Sequence, residues 1–170
     1  MITIYQFGRD KLFKKGAQFI SIYDHNKEGI TEEAHQTNSI DNKFQNKAAL
    51  IAEDNAITNK VITFLLRKMG FHVKHVENGE EILAQLDKQH FDLVFLDINM
   101  PKLGGFETAK AIREGKVFKR FKNYNIPIIA ISTEKQELSN LNLHGINMLL
   151  GKPFSEKELL DFVIGCMKIW

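Results

Sequence analysis

Five positions scattered along the chain carry side chains suited to handling a phosphoryl group: the acidic pair Glu53-Asp54, then Asp97, Ser132 and Lys152. Three carboxylates brought close together repel, and each titrates abnormally unless a cation neutralises them. Oxygen-only ligands with room for water describe a Mg²⁺ site. A lysine and a hydroxyl beside a metal-bound carboxylate are what phosphoryl transfer needs, since both meet charge on the phosphoryl oxygens. The central carboxylate is then a nucleophile able to form an acyl phosphate. Taken singly, each residue has a plainer reading. Asp97 caps the turn before Pro101, Glu53-Asp54 supplies charges favoured at a helix N-terminus, Ser132 is a turn residue, and Lys152 is a surface lysine ahead of a helix.

Chemistry of this kind requires a scaffold that gathers distant residues, and the hydrophobic pattern predicts one. Phe91 to Asp97 is a short, nearly continuous apolar run followed by Pro101 and Gly104-Gly105, which reads as a strand buried on both faces. Ala48 to Ala52 is a second such strand, ending at Glu53-Asp54. Ile57, Val61, Leu65 and Met69 at steps of four, with Ile62 and Leu66 beside them, predict a helix closed by Gly70. Phe71 to Val76 alternates like a strand; Asn78-Gly79 makes a turn, and Ile82, Leu83 and Leu86 mark the next helix. A helix from Phe106 to Arg113, a basic interlude from Gly115 to Asn125 and a strand from Ile126 to Ile131 follow. A weak helix over Lys135 to Leu143 precedes a fifth strand, Ile146 to Leu150. The last helix opens at Ser155, with Glu158 completing a capping box. Strands alternating with helices five times predict a doubly wound α/β domain with right-handed crossovers. In a parallel sheet of that kind the strand ends, and with them the five polar positions, converge on one edge.

Composition sets the outer bounds. The chain has 170 residues, 44% hydrophobic and 26% charged, ordinary for a globular protein of one domain plus an appendage. A formal net charge of +2 does not by itself argue for nucleic acid or a membrane surface. The one cysteine, Cys166, excludes a disulfide framework and a cysteine-rich zinc site and fits a reducing compartment. With neither a membrane-length apolar run nor a signal-peptide pattern, a cytoplasmic location is expected. Residues 1–46 read as an N-terminal extension, with short strands expected at Met1–Phe7 and Ala17–Tyr23 and a polar linker from Asp24 to Asn46; residues 47–170 read as the folded domain. His25 and His35 fall in the linker and are assigned no role. The run Lys116 to Lys122 interleaves bases with aromatics, a pattern seen in single-strand binders but more often a solvated loop flank, and no helix-turn-helix is evident, so nucleic-acid binding is disfavoured.

From about Lys47 to Trp170 the chain resembles the receiver domain of two-component response regulators. The resemblance rests on Glu53-Asp54-Asn55, on Asp97 followed by Met100-Pro101 and Gly105, on Ser132, and on Lys152-Pro153-Phe154, in the family's order and spacing. Asp54-Asn55 followed by Asn59 and Val61 resembles the receivers attached to hybrid sensor kinases. The resemblance implies a flavodoxin-like fold with a five-stranded parallel sheet. It implies Asp97 as phosphoacceptor and Mg²⁺ held by Asp54, Asp97 and the backbone carbonyl of Asn99, with Glu53 acting through water. Lys152 would pair with the phosphoryl group and Ser132 would hydrogen-bond it. The implied donor is a histidine kinase or histidine phosphotransfer protein. The implied output is a protein partner, or a second copy in a homodimer, at the face formed by the fourth helix, fifth strand and fifth helix.

The chain departs from the family pattern at two places. Leu149 stands where the family often carries an aromatic switch residue, and Thr133 where it usually keeps a small one, narrowing access to the phosphoryl group. Asn99 and Glu134 occupy positions that tune hydrolysis in the family, and both are able to orient a water. Two alternatives stay open. A phosphatase-like enzyme also uses an Asp nucleophile with Mg²⁺, but carries a second Asp two positions on, where this chain has Asn99. A pseudo-receiver acting only as an interaction module is the other, and the intact acidic pair, acceptor, hydroxyl and lysine speak against it.

Overall fold

The computed structural model describes residues 42–115, 125–133 and 145–169. The expected strands before residue 24, the basic interlude, Glu134, the weak helix over Lys135 to Leu143 and Trp170 lie outside them. Within the described residues, five short strands rich in Ile, Leu, Val and Ala form one parallel sheet in the order β2-β1-β3-β4-β5. They are β1 (Ala48–Ala52), β2 (His72–Val76), β3 (Leu93–Asp97), β4 (Ile128–Ser132) and β5 (Met148–Gly151). Four helices connect or follow them: α1 (Ala56–Lys68), α2 (Gly79–Leu86), α3 (Gly105–Glu114) and α4 (Glu156–Ile169).

The inner strands are buried on both faces, and their alternate side chains feed two cores. On one side Ile51, Phe95 and Ile131 pack with Ile62 and Leu66 of α1 and with Leu159 and Val163 of α4. On the other, Leu50, Val94 and Ala130 pack with Ile82 of α2 and with Ala109 and Ile112 of α3. Leu149 is buried in this second core, so strand β5 presents an aliphatic side chain where an aromatic switch would stand.

Helix starts follow local side-chain chemistry. The Asn55 side chain accepts from the N–H groups of Ile57 and Thr58 at 3.0 and 3.1 Å, satisfying two donors that the first turn of α1 leaves unpaired. Asn78 caps α2 through the Glu81 N–H. The capping box at α4 forms as its sequence predicts, with Ser155 N–H donating to Glu158 Oε2 at 2.6 Å and Glu158 N–H to Ser155 Oγ at 3.2 Å.

Helix α1 differs from its sequence reading in one respect. Of the four-step series, Leu65 and Met69 are buried, but Ile57 is 76% and Val61 44% exposed, and Phe64 beside them is 66% exposed. A four-residue step advances about 400° around a helix, so such a series drifts by about 40° each time and crosses from one face to another. The buried face is carried instead by Ile62, Leu65, Leu66 and Met69. Residues 42–46, polar in composition, form a turn against the C-terminal end of α1: Asn42 and Phe44 N–H groups donate to the Lys68 and Met69 carbonyls, and the Phe44 ring lies 4.9 Å from that of Phe71.

At the opposite sheet end from Asp97, Arg113 of α3 donates to the carbonyls of Gly145 and Ile126 and to Asn147 Oδ1, each at 2.8 Å. Burial pulls its guanidinium down to about 10, which leaves it charged at neutral pH, and pushes the nearby Cys166 thiol up to about 12. Among the described residues no helix is long and apolar enough to cross a membrane.

Candidate functional site

The strand order reverses direction of growth at β1 and β3, and an open parallel sheet has its natural crevice there, beyond the carboxyl ends. Glu53 and Asp54 follow β1 directly, Asp97 is the last residue of β3, Ser132 the last of β4, and Lys152 follows β5. Parallel register does the gathering: Asp97 pairs with Ile131, Ser132 pairs with Gly151, and the Lys152 N–H donates to the Ser132 carbonyl at 2.7 Å.

One carboxylate oxygen from each of Glu53, Asp54 and Asp97 lies within 4.8 Å of the others. Glu53 and Asp97 are buried, while Asp54 is open to solvent. The Lys152 ammonium bridges the buried pair, 2.7 Å from Glu53 Oε2 and 2.7 Å from Asp97 Oδ2. Toward Asp97 the contact is a well-directed hydrogen bond. Toward Glu53 it is a close ion pair, and among the described residues Oε2 accepts no directed hydrogen bond. The other oxygens are used: Glu53 Oε1 accepts from the Asn55 N–H at 3.1 Å and Asp97 Oδ1 from the Asn99 N–H at 3.2 Å.

The charges explain the titration. Burial raises the Glu53 pKa and the neighbouring Asp97 charge adds to the effect, outweighing the contact with Lys152. Burial also works against the Lys152 ammonium, yet its close contacts with the Asp97 and Glu53 carboxylates leave its pKa above the ordinary value. Three carboxylates against one ammonium keep the cluster negative. A buried carboxylate oxygen without a directed donor, beside two more carboxylates, fits a hard divalent cation with oxygen ligands.

The backbone near Asp97 is shaped by glycine. A Cβ on Gly105 would stand 2.5 Å from the Asp97 carbonyl oxygen and 2.7 Å from Ile98 Cα, so only glycine lets α3 begin this close to the end of β3. The Gly105 N–H donates to the Ile98 carbonyl at 2.9 Å and closes the loop that carries Asn99 and Pro101. Lys102, with φ 64°, makes the left-handed turn in that loop.

Of the residues expected from sequence, Glu53, Asp54, Asp97 and Lys152 come together directly, and Asn99 reaches Asp97 through its backbone N–H. Ser132 is buried at the adjacent strand end. Thr133 is exposed beside it. Two features escaped the sequence. One is the Lys152–Glu53 contact, which depends on strand order. The other is His75 of β2, whose Nε2 donates to the Glu53 carbonyl at 3.0 Å; only the β1–β2 register reveals it.

Comparison with known proteins agrees with this geometry. Residues 49–164 match the model of the response regulator receiver domain. The chain is 34% identical over 116 residues to hybrid signal transduction histidine kinase A of Dictyostelium discoideum, covering 68% of this chain and 5% of that protein. It is 38% identical over 120 residues to hybrid signal transduction histidine kinase K of the same organism, covering 65% and 9%. The chain therefore spans a small part of these relatives. Among solved structures, the Vibrio cholerae chemotaxis protein CheY4 aligns at a TM-score of 0.64 with 27% identity, over 71% of this chain and 98% of that one. The receiver domain of the sensor histidine kinase PA1611 from Pseudomonas aeruginosa PAO1, solved with a magnesium ion coordinated in its active site cleft, aligns with the same TM-score and identity over 72% and 98%. Sequence and fold agree, and this chain belongs to the response regulator receiver domain family of two-component signalling, with receivers of hybrid histidine kinases among its relatives.

Proposed function

We propose that this chain is a phosphorelay receiver in which Asp97 takes a phosphoryl group from a phosphohistidine on a histidine kinase or histidine phosphotransfer protein. An Asp97 carboxylate oxygen attacks phosphorus, the O–P bond forms as the P–N bond breaks, and the imidazole leaves with the displaced electron pair. Glu53, Asp54, Asp97 and the Asn99 carbonyl would hold Mg²⁺, with Glu53 acting through water. The ion, when bound, neutralises phosphoryl oxygens. Lys152 stays beside the acceptor and meets a phosphoryl oxygen, and the Ser132 hydroxyl donates to another. Asn99 orients water for later hydrolysis, as does Glu134, while Thr133 narrows the approach. The chemistry is confined to the protein's own phosphorylation and dephosphorylation, which makes it a signalling switch rather than an enzyme acting on a separate substrate. It acts in the cytoplasm, with residues 47–170 as the receiver and residues 1–46 as an N-terminal extension.

The observation that carries this reading is the Lys152 ammonium bridging Glu53 and Asp97, residues from three strand ends, beside the exposed Asp54. The phosphatase reading lacks its general acid, since Asn99 follows Asp97 by two positions. The exposed stripe Ile57, Val61 and Phe64 begins just after Asn55, at the rim of this site, and is what a protein donor would cover while presenting its histidine. Output would proceed through the face expected of the helix predicted over Lys135 to Leu143, strand β5 and the last helix, α4, with Leu149 moving less than an aromatic ring would.

Labelled phosphoryl transfer from a phosphorylated histidine phosphotransfer protein tests both points. Label should pass to the wild-type chain and not to Asp97→Asn. Phe64→Asp should slow transfer from the protein donor at least tenfold while leaving labelling by acetyl phosphate unchanged. Labelling of Asp97→Asn at the wild-type rate would remove the assignment, and an unslowed Phe64→Asp would remove the donor surface.

A further inference from the structure

The acidic pair needs something to hold its backbone, because β1 runs out of partners where the pair begins. The Glu53 N–H still reaches the Val76 carbonyl, at a long 3.4 Å. One more parallel rung would bring the Asn78 N–H to the Glu53 carbonyl. The chain has by then turned away: the Glu77 N–H is taken by Glu81 Oε2 and the Asn78 side chain caps α2. The Glu53 carbonyl is met instead by the imidazole of His75, from the edge strand β2, at 3.0 Å. A carbonyl only accepts, so Nε2 carries the proton, and it does so in both the neutral Nε2–H tautomer and the imidazolium.

This bond fixes the peptide plane joining Glu53 to Asp54. The two carboxylates depend on that plane differently. Glu53 has the Asn55 N–H and Lys152 to hold it, whereas Asp54 is exposed and, among the described residues, its carboxylate has no hydrogen bond or ion pair. The aim of the Asp54 oxygen at the other two carboxylates therefore rests on the backbone on either side. On the next residue that backbone is secured by the Asn55 cap of α1; on the preceding one it is secured by His75.

We infer that His75 is a positioning residue for the divalent cation, standing in for the missing rung of the sheet and holding the Glu53–Asp54 peptide in the orientation that lets Asp54 join the metal ligands. The inference rests on the Mg²⁺ reading of the acidic cluster. His75 is exposed on an edge strand, so its truncation leaves both cores intact.

Titration of the full chain with Mg²⁺ by calorimetry, alongside amide NMR, compares wild type, His75→Ala, His75→Gln and Asp97→Asn. His75→Ala should weaken Mg²⁺ binding roughly fivefold, the equivalent of one net hydrogen bond, and shift the Asp54 amide resonance. His75→Gln, whose amide N–H₂ reaches about as far, should restore both. An unchanged Mg²⁺ affinity in His75→Ala, or a loss that His75→Gln fails to recover, overturns the proposal while leaving the metal site standing. A wild-type chain that binds Mg²⁺ no better than Asp97→Asn overturns the metal reading and this proposal with it.

Discussion

Glu53 carries the clearest energetic signature at the level of single residues. Its side chain is buried, its Oε2 meets, among the described residues, only the Lys152 ammonium, and its pKa is raised by burial foremost and also by the Asp97 charge. A folded-state pKa above the unfolded value means stability that is fully present below about 4.5 and is lost as pH rises through the raised value. In the absence of Mg²⁺, wild type should therefore lose stability relative to Glu53→Gln as pH climbs through that window, and added Mg²⁺ at pH 7 should close the gap. Thermal unfolding of both proteins at a series of pH values, with EDTA or with Mg²⁺, checks this; a gap that stays constant with pH contradicts the assigned cause. Residue identities at this site were legible early, because carboxylates, hydroxyl and lysine at strand ends have few other joint uses. The role of His75 was not, since a histidine in an exposed strand carries no mark of the carbonyl it meets.

Strands β1, β3, β4 and β5 end where the chemistry is, and α3 begins beside it with little tolerance. Its first residue, Gly105, approaches the Asp97 carbonyl so closely that any side chain must displace the β3–α3 loop. Gly105→Ala should cost about 1–3 kcal/mol of stability, the usual range for overpacking, and should also weaken Mg²⁺ binding because Asn99 lies in the same loop. Chemical denaturation with parallel Mg²⁺ titration measures both, and a variant as stable as wild type would contradict the close approach. The strands β1, β3, β4 and β5 were readable as short apolar runs, and the α4 capping box from two residues. Helix α1 was readable in extent and misleading in face: its apolar residues span more than one buried stripe, and periodicity alone does not say which part of a broad arc meets the sheet. Ile57, Val61 and Phe64 are the part that does not.

For the molecule as a whole, a parallel sheet of order β2-β1-β3-β4-β5 turns sequence distance into proximity at one edge. The alternation of strands and helices was enough to anticipate that convergence, but not which side chains would touch, because register and strand order are set by packing of the whole domain. The lysine thus emerges as a bridge between Glu53 and Asp97. In the proposed function Asp97, among all the carboxylates, accepts phosphorus and does so with a divalent cation. Intact-mass analysis after incubation with acetyl phosphate tests it most directly. Wild type with Mg²⁺ should gain the mass of one phosphoryl group, and the gain should vanish with EDTA or in Asp97→Asn. A gain that persists in Asp97→Asn, or that is indifferent to Mg²⁺, would contradict the account.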